Sequence, residues 1–553
     1  MPIVFFRKYS LPFLDLPVKN YSLARVPIVL SAANGRATDV RLIRCGPFVL
    51  LLGLIHLGLV QTGLAAQGLI SSNVNIEQAS DPTLIIQELA RLEAQIKAKA
   101  RPVSLDQAVG EGIRFNPQLQ QAFAAIQQYE WQLIAAQRQW YPTLQLNNGT
   151  PFVGVQWQTY SQNYSSSSPT APPTYSNSSQ QAIFQPGVSI NWNVIDPTRQ
   201  PNINAASASL RQQKLLFDVS ARNLILNLQQ SYYNVQSSRQ LIESFRRIYE
   251  INQQRLAMLT AQRSIGMATV LDVESTRSQL FAQLNQLVDY TRVYIDQTAN
   301  LAAAMALPDG TLAIPSDPAA LRGSWQLSLE DTIRQARRQR EEIYASLAAA
   351  EAARWSGVAS LRSYLPVIAL ALNDSLVANQ GPLSTQSGGQ TVTVDNTLFN
   401  RTASIGLGFN WMLFDGGVQA ANAEAAKAQA LQQGAQAAST DLQVIQQVRS
   451  SYGQLSTARV AYRSAMEAYR SAELAQHASR ARFAVGVGDI TSVVQTIEQL
   501  SQAAQQLSTA TLSYNTALAQ LYRYSATWPP QAQQDVHQRT EQLRQAPAAV
   551  FKP

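Results

Sequence analysis

Residues 404–413, SIGLGFNWML, followed by the corner FDGG at 414–417, decide how this chain folds. Large apolar side chains occupy every second position from Ile405 to Leu413, and the residues between them are small or polar up to Asn410, which is the period of a β-strand with one apolar face. After the corner, no proline occurs before Pro529. Because proline costs about 3 kcal/mol inside a helix, such a span permits a long uninterrupted helix. The sequence therefore predicts a strand that leads directly into a very long helix.

The same arrangement occurs twice. When the sequence is compared with itself, identical residues recur at an offset of 224, then of 219 and finally of 220. The matched pairs include Trp131 with Trp355, Trp192 with Trp411, Tyr233 with Tyr452, and Gly266 with Gly486. A period near 220 residues is too long for a solenoid unit and indicates a duplicated half-subunit. We place the halves at 104–310 and 328–526, joined by a linker at 311–327.

Each half is predicted to contain two long helices. The longer ones span 199–263 and 418–482, about 98 Å each at 1.5 Å per residue, and the shorter ones span 269–306 and 489–525. Their apolar residues step by threes and fours, as at Leu241, Phe245 and Ile248, which coiled-coil packing requires. Gln and Asn interrupt the apolar stripe, so we expect the helices to face both protein and water. A soluble coiled coil with imperfect heptads is the alternative.

Four strands are predicted, at 143–160, 183–195, 367–376 and 403–414. One face is apolar and the other is small or polar, as the wall of a membrane β-barrel requires. The residues predicted to face lipid are Val188, Ile190, Trp192, Ile405, Leu407, Phe409 and Trp411. Half-buried sheets of soluble proteins alternate in the same way, so the membrane interpretation depends on the long helices and on an export signal. The connecting loops, with Ser165 to Ser168, Pro172 and Pro173 in one and Gly381, Pro382, Gly388 and Gly389 in the other, should face solvent.

The N-terminus resembles an export signal. Arg41 and Arg44 precede an apolar run at 47–60, and Gly63 and Ala65 form a small-x-small pattern that suits cleavage, so we assign 1–66 to a signal peptide with a long N-region. A retained anchor is the alternative, but about 14 apolar residues fall short of the roughly 20 that a spanning helix needs. No other segment offers 18 consecutive apolar residues. Residues 67–103 form a periplasmic extension with a short amphipathic helix at 85–99, and the tail at 527–553 is predicted to be irregular.

Composition argues against nucleic-acid binding and against catalysis. The net charge of +8 comes mostly from the signal region, because the rest of the chain holds 36 basic and 33 acidic residues. The only cysteine, Cys45, precedes the predicted cleavage site. His56, His477 and His537 have no nucleophile or carboxylate pattern near them, and no phosphate-binding loop or paired metal ligands occur. We therefore expect no enzyme activity, cofactor or metal site, although an envelope enzyme remains an alternative class.

Four strands do not close a conducting barrel, and a sheet edge is not left open in lipid, so the chain must oligomerise. Here the sequence resembles the TolC outer-membrane efflux family. The resemblance rests on Ser104-Leu105-Asp106, Asn116-Pro117, Tyr141-Pro142, the corner at 414–417, and Gly486 followed by Ile490 and Val493. It covers roughly 104–525 in both halves.

The resemblance implies an α+β membrane protein, a homotrimeric duct with a twelve-stranded outer-membrane barrel above a periplasmic tunnel of coiled-coil helices. It implies a passive channel of a tripartite efflux pump or a type I secretion system, with a periplasmic membrane-fusion adaptor, an inner-membrane RND pump or ABC exporter, and outer-membrane lipid as partners. A non-conducting structural coiled coil spanning the periplasm is the alternative. The sequence does not choose among metals, drugs and proteins as cargo.

Glycine breaks at Gly266 and Gly486 should turn the chain at the periplasmic tips. The resemblance implies that Gly266, Met267, Gly486 and Val487 contact the adaptor and that Asp272, Phe483, Gly488, Asp489, Ser492 and Gln495 border the periplasmic aperture. Ser492, Gln495 and Gly488 stand where the family's best-known pattern has acidic residues and an arginine, so a strongly acidic aperture is not expected. Three copies of Asp272 or Asp489 would form a negative ring; solvated surface acids are the alternative.

Overall fold

Long antiparallel helices and one four-stranded sheet dominate the computed structural model, which describes residues 82–162, 175–387, 390–530 and 532–545. The predicted signal peptide at 1–66 and the start of the extension at 67–81 lie outside the described residues. So do the loop residues 165–168, 172–173 and 388–389 and the end of the tail at 546–553.

The elements follow the duplicated order that the sequence predicts. The extension contains α1 (Pro82–Lys99) and β1 (Ala100–Val103). The first half contains α2 (Leu105–Phe115), α3 (Pro117–Arg138), β2 (Thr143–Gln162), β3 (Tyr175–Ile195), α4 (Arg199–Ser264) and α5 (Val270–Ala304). The linker contains β4 (Leu312–Pro315). The second half contains α6 (Leu329–Gln339), α7 (Glu341–Arg362), β5 (Val367–Ser387), β6 (Gln390–Asn410), α8 (Val418–Ala484) and α9 (Ile490–Tyr524), and α10 (Ala532–Gln545) lies in the tail.

The two longest helices are similar in length. α4 has 66 residues and α8 has 67, about 100 Å each. Near the sheet, α3, α4, α7 and α8 pack side by side in that order, while α5 packs along the far part of α4 and α9 packs against both α8 and α4. Buried Phe217, Leu224, Tyr232 and Phe245 of α4 form much of the core. Burial of these faces, rather than helix propensity alone, stabilises rods of this length.

The corner at 414–417 makes the sharp change from strand to helix. Gly416 and Gly417 have φ of +69° and +85°, a region that favours glycine. The Asp415 carboxylate accepts hydrogen bonds from the backbone N–H of Gly417 and Gln419, both at 2.9 Å, and from the Tyr364 hydroxyl at 2.7 Å. These bonds satisfy free N–H groups at the start of α8.

The four long strands form one antiparallel sheet in the order β2-β3-β5-β6. Its register places Ile190, Leu372 and Ile405 in one cross-strand row, and Trp192, Leu370 and Leu407 in the row nearer the helices. Directly paired residues share a face, so the apolar residues of all strands lie on the same side of the sheet.

Three strands differ from the predicted bounds. β3 and β5 are 21 residues long instead of 13 and 10, and β6 runs from Gln390 to Asn410 instead of over 403–414. The segments added to β3 and β5 are mostly polar, and in β6 Val392 and Val394 lie on the face opposite Phe399, so no single apolar face marks them. The ladders to neighbouring strands hold these segments. Gly381 and Pro382 were expected in a loop but lie in β5, where the β3–β5 pairing is interrupted between Gln380 and Leu383. A proline, which has no N–H to donate, is tolerated at such a gap.

Short elements pack against the long helices near the junction of the two halves. β1 and β4 form a parallel two-stranded sheet, and α1 packs against α5. An ion pair at 2.5 Å between Glu93 of α1 and Arg246 of α4 also holds α1 in place. The prediction of an irregular tail is wrong for 532–545, because α10 forms there and packs against α2 with Ala532 and Val536 buried. The helix is mostly polar, so only its contact with α2 gives it an apolar face.

A buried ionic cluster joins α4, α7 and α9. Arg222 forms an ion pair with Glu341 at 2.8 Å. Glu342 forms ion pairs with both Arg340, at 2.7 Å, and Arg523, at 2.5 Å. Burial raises the pKa of Asp218 to about 6, and the Glu341 carboxylate adds to the rise. The cluster fixes the two halves against each other, since removal of one partner would leave a buried charge uncompensated.

Candidate functional site

Both helical hairpins turn through the same backbone motif. Gly266 has φ +76° and Gly486 has φ +78°, so each helix ends on a left-handed residue. The following residues bond back across five positions, Met267 N–H to the Gln262 carbonyl at 2.8 Å and Val487 N–H to the Arg482 carbonyl at 3.1 Å. This is the Schellman arrangement, in which glycine avoids the steric penalty of φ > 0. The predicted turns therefore have the geometry that their glycines indicated.

The two tips lie at the same end of the helices. α4 packs along α9, where Ile248 joins Val493 and Ile497 in one apolar cluster, and Arg480 Nη2 donates to Gln254 Oε1 at 2.8 Å. Both tips expose large apolar side chains, at 73% for Met267 and 72% for Val487. Ile265, Leu271 and Val485 are also exposed. The end of the molecule thus presents two neighbouring apolar tips.

Side chains cap the returning helix in the first hairpin but not in the second. In the first hairpin, Asp272 Oδ2 accepts from the Thr269 N–H at 2.9 Å, and Thr269 Oγ1 accepts from the Asp272 N–H at 3.2 Å. This capping box lowers the pKa of Asp272 through the Thr269 hydrogen bonds. In the second hairpin the equivalent positions hold Asp489 and Ser492, so the acid precedes the hydroxyl. Asp489 makes no side-chain capping bond and is exposed.

Gly488 explains one departure from the family pattern. A Cβ at this position would lie 2.9 Å from the backbone nitrogen of Phe483, which is closer than Cβ atoms approach backbone. The turn after Gly486 therefore has no room for an arginine at 488 without moving the backbone. Phe483 packs against the cluster of Ile248 and Val493, while Ser492 and Gln495 are exposed on α9.

Sequence reasoning missed a buried arginine above the first tip. Arg255 of α4 is 5% exposed, and its Nε, Nη1 and Nη2 have no hydrogen-bond partner within the described residues. Burial lowers its pKa to about 10, and Asp272 is the charge that opposes this fall. Helical periodicity could have indicated that Arg255 is buried, because Asn252 and Arg255 continue the buried stripe of Phe245 and Ile248 on α4.

The second candidate surface is the apolar face of the sheet. The predicted residues Val188, Ile190, Trp192, Ile405, Leu407 and Phe409 share this face, and Trp411 follows β6. Ile405, Leu407 and Phe409 are 71%, 73% and 68% exposed. On the opposite face the side chains are mostly small or polar. Ser189 and the apolar Ile183 of β3 are buried there. The indole N–H groups of Trp192 and Trp411 donate to the carbonyls of Trp140 and Tyr364, both at 2.9 Å, where the sheet meets the helices.

A charged pair on the apolar face was also missed. Arg401 of β6 donates through Nε and Nη2 to the carboxylate of Asp374 on β5, at 3.0 and 2.9 Å. Leu376 pairs with Arg401 across the ladder, and Asp374 pairs with Ala403 one row nearer the helices. Both charged side chains therefore lie on the face that carries Ile405 and Leu407.

Metal ligation and helical membrane passage find no support in the described residues. There, no three His, Cys, Asp or Glu side chains come together in a way that would hold a metal ion. None of the helices in the same part of the chain has both the length and the apolar composition of a membrane-spanning helix.

Comparison with known proteins agrees with this geometry. The family model described as outer membrane efflux protein matches residues 112–307 and 332–527, one stretch in each half. The fold is similar to that of the outer-membrane channel OprN, with a TM-score of 0.60 at 15% identity, covering 77% of this chain and 90% of the other. No curated protein matches the sequence.

Two further solved structures extend the likeness. VceC from Vibrio cholerae has a TM-score of 0.56 at 15% identity, covering 76% of this chain and 96% of VceC. CmeC from Campylobacter jejuni has a TM-score of 0.59 at 14% identity, covering 79% and 89%. At these identities the likeness establishes the TolC-like α+β fold. Because the family model matches most of the chain in both halves, the chain belongs to the outer membrane efflux protein family, whose members are transport conduits and not enzymes.

Proposed function

We propose that three copies of this chain close into an outer-membrane duct that passively conducts exported substrates from a periplasmic adaptor to the exterior. The observation that carries the proposal is the pair of free sheet edges. In the described sheet, β2 and β6 each have one neighbour, and they run in opposite directions because all three pairings are antiparallel. β6 of one copy therefore continues onto β2 of the next as another antiparallel pair. Three copies supply twelve strands and leave no edge in lipid.

The two faces of the sheet suit such a barrel. The exposed apolar face, with Ile405, Leu407 and Phe409, meets lipid, and the face of small and polar residues meets the aqueous lumen. A water-soluble protein rarely leaves so continuous an apolar surface uncovered. This favours a membrane duct over a non-conducting coiled coil confined to the periplasm.

Internal repetition indicates how the helices of neighbouring copies meet. Within one chain, α4 of the first half packs against α7 of the second, with Arg211 and Glu351 2.5 Å apart. In the repeat, α8 is equivalent to α4 and α3 is equivalent to α7, so the equivalent contact would join α8 to α3. Within one chain these two helices lie at opposite ends of the row α3-α4-α7-α8 and do not meet there. We assign this contact to two neighbouring copies. Trp131 of α3 is 65% exposed, whereas its equivalent Trp355 on α7 is partly covered. The neighbouring α8 would cover Trp131 in the same way.

The apolar tips supply the contact with a periplasmic membrane-fusion adaptor. Gly266, Met267, Gly486 and Val487 form the two turns, and the exposed Met267 and Val487 offer area for a partner to bury. Asp272, Phe483, Gly488, Asp489, Ser492 and Gln495 would border the periplasmic aperture. The inner-membrane partner is an RND pump or an ABC exporter, and the charge-poor second tip gives no preference between these classes.

A disulfide cross-link tests the closed trimer. By repeat equivalence, Gln127 on α3 corresponds to Glu351, and Ala430 on α8 corresponds to Arg211. We expect the double variant Gln127→Cys, Ala430→Cys to form covalent dimers and trimers in the outer-membrane fraction under mild oxidation, because the two cysteines would face each other between copies. The single variant Gln127→Cys is the matched control and should remain monomeric on a denaturing gel.

Location is measured in the same preparation by density separation of membranes. An intramolecular product or a monomer in the periplasmic fraction would refute the duct and favour the structural coiled coil. Cross-linked trimers that carry no current in a planar bilayer would retain the assembly and refute conduction.

A further inference from the structure

The charged pair on the apolar face of the sheet lies at a height that can be worked out from the strand. Trp411 stands where the sheet meets the helices, and Arg401 precedes it by ten positions. At about 3.4 Å per residue this separation is about 34 Å along the strand, and a tilt of about 40° reduces it to about 26 Å. The apolar band of a membrane barrel is about 25 Å tall. The Arg401 guanidinium therefore lies at the upper limit of the band, where lipid headgroups begin.

The aromatic residues agree with this height. Trp192 and Trp411 lie at the lower limit of the band. In the row just above Arg401, Phe184, Ala378 and Phe399 follow one another across the sheet, and Phe399 is 71% exposed on the apolar face. Aromatic residues at both interfaces are typical of membrane barrels. Arg401 thus lies between the apolar band and the outer aromatic row.

The pair leaves donors free for a second anion. Asp374 occupies Nε and Nη2 of Arg401, and the Arg401 side chain remains 71% exposed while Asp374 is 36% exposed. Of the five N–H donors of a guanidinium, those on Nη1 have no partner in the described residues. An arginine presented at the headgroup level with free donors matches the oxygens of a phosphate group.

We propose that Arg401 binds the phosphate group of an anionic lipid in the outer leaflet, with Asp374 orienting the guanidinium and moderating the affinity. This inference rests on the proposed membrane orientation of the sheet. In the closed trimer the site would recur three times around the barrel. One arginine near an anionic surface contributes about 1 kcal/mol, so loss of Arg401 should weaken phosphate-lipid binding about fivefold per site.

The experiment uses the full-length trimer in bilayer discs of phosphatidylcholine, with and without added diphosphorylated lipid A. The readout is the temperature at which the trimer dissociates. We expect lipid A to raise this temperature for the wild type and to raise it much less for Arg401→Gln. Asp374→Asn should increase the effect of lipid A, because it frees two donors and removes a repelling charge. Arg470→Gln, which removes an equally exposed arginine from α8, is the matched control and should behave as the wild type.

The two substitutions are expected to change the lipid A effect in opposite directions, and this distinguishes a lipid site from an ion pair that only links two strands. If the pair only fixes β5 against β6, Arg401→Gln and Asp374→Asn will lower the dissociation temperature alike in both kinds of disc, which overturns the proposal. Inorganic phosphate that reproduces the effect of lipid A in plain discs would overturn the assignment to lipid. If Arg401→Gln does not assemble, the lipid A effect on Asp374→Asn relative to the wild type still tests the proposal, because only a lipid site predicts a larger effect for this variant. Failure of the wild type to form trimers in any disc would refute the duct itself, whereas a normal trimer with no lipid A response refutes only this inference.

Discussion

Asp218 provides a sharp test of the buried ionic cluster. Burial and the Glu341 carboxylate raise the pKa of Asp218 from 3.8 to about 6. The folded protein therefore disfavours the ionised form, and this contribution destabilises the fold progressively as pH rises from about 4 to about 6. Above pH 6 the penalty is complete, and below the unfolded pKa it is absent. Asp218→Asn should remove it while nearly preserving the volume of the side chain.

The magnitude follows from the two pKa values. Their difference corresponds to about 3 kcal/mol at 1.36 kcal/mol for each pH unit. Because the side chain keeps partial contact with water, we expect a stabilisation of about 1–2 kcal/mol at pH 8, and roughly 1–2 °C in the melting midpoint of a chain of this length. At pH 4 the variant and the wild type should melt together.

The assay is the loss of helical circular dichroism on heating at a fixed scan rate, in detergent, at pH 4 and pH 8. Asp296→Asn, at an exposed pair with Arg292 on α5, is the control and should change the midpoint little at either pH. A stabilisation of equal size at both values, or a destabilisation confined to pH 8, would show that the Asp218 carboxylate is not held in the environment described here.

Two further predictions concern the tips. Gly488→Ala should destabilise the second hairpin by about 1–3 kcal/mol, because the new Cβ would lie 2.9 Å from the Phe483 backbone nitrogen. Hydrogen exchange at residues 482–490 should accelerate, whereas the control Gly453→Ala, in open space on α8, should leave exchange unchanged or slower. Unchanged exchange at the tip in Gly488→Ala would contradict the geometry. Asp272→Ala should remove the capping box and about 1 kcal/mol of local stability, which would appear as faster amide hydrogen exchange at Thr269. The control Asp489→Ala removes no capping bond and should have a smaller effect at the second tip. Equal effects of the two substitutions would rule out the capping role.

Local features of the chain were predictable from the sequence because their causes are local. The alternation at 404–413, the absence of proline before Pro529 and the glycines at 266 and 486 each act within a few residues. They indicated strand faces, helix lengths and turn positions, and the duplication showed that one plan is used twice. The conformation at Gly266 and Gly486 follows from the same logic, since only glycine adopts φ near +76° without steric cost.

Features that depend on partners distant in the chain were not predictable. The upper parts of β3 and β5 are mostly polar, and in the upper part of β6 the apolar residues change face between Val394 and Phe399. These segments form strands because neighbouring strands pair with them, and the sequence shows no single apolar face there. α10 is helical because α2 gives it a surface to bury. Arg222 meets Glu341 across 119 residues, and Arg401 meets Asp374 only when β5 and β6 take their register. The sequence by itself thus determined the long helices, the tip turns and the parts of the strands next to the helices. Only the tertiary structure decided which charges lie together, because pairing between distant segments leaves no periodic signal in either one.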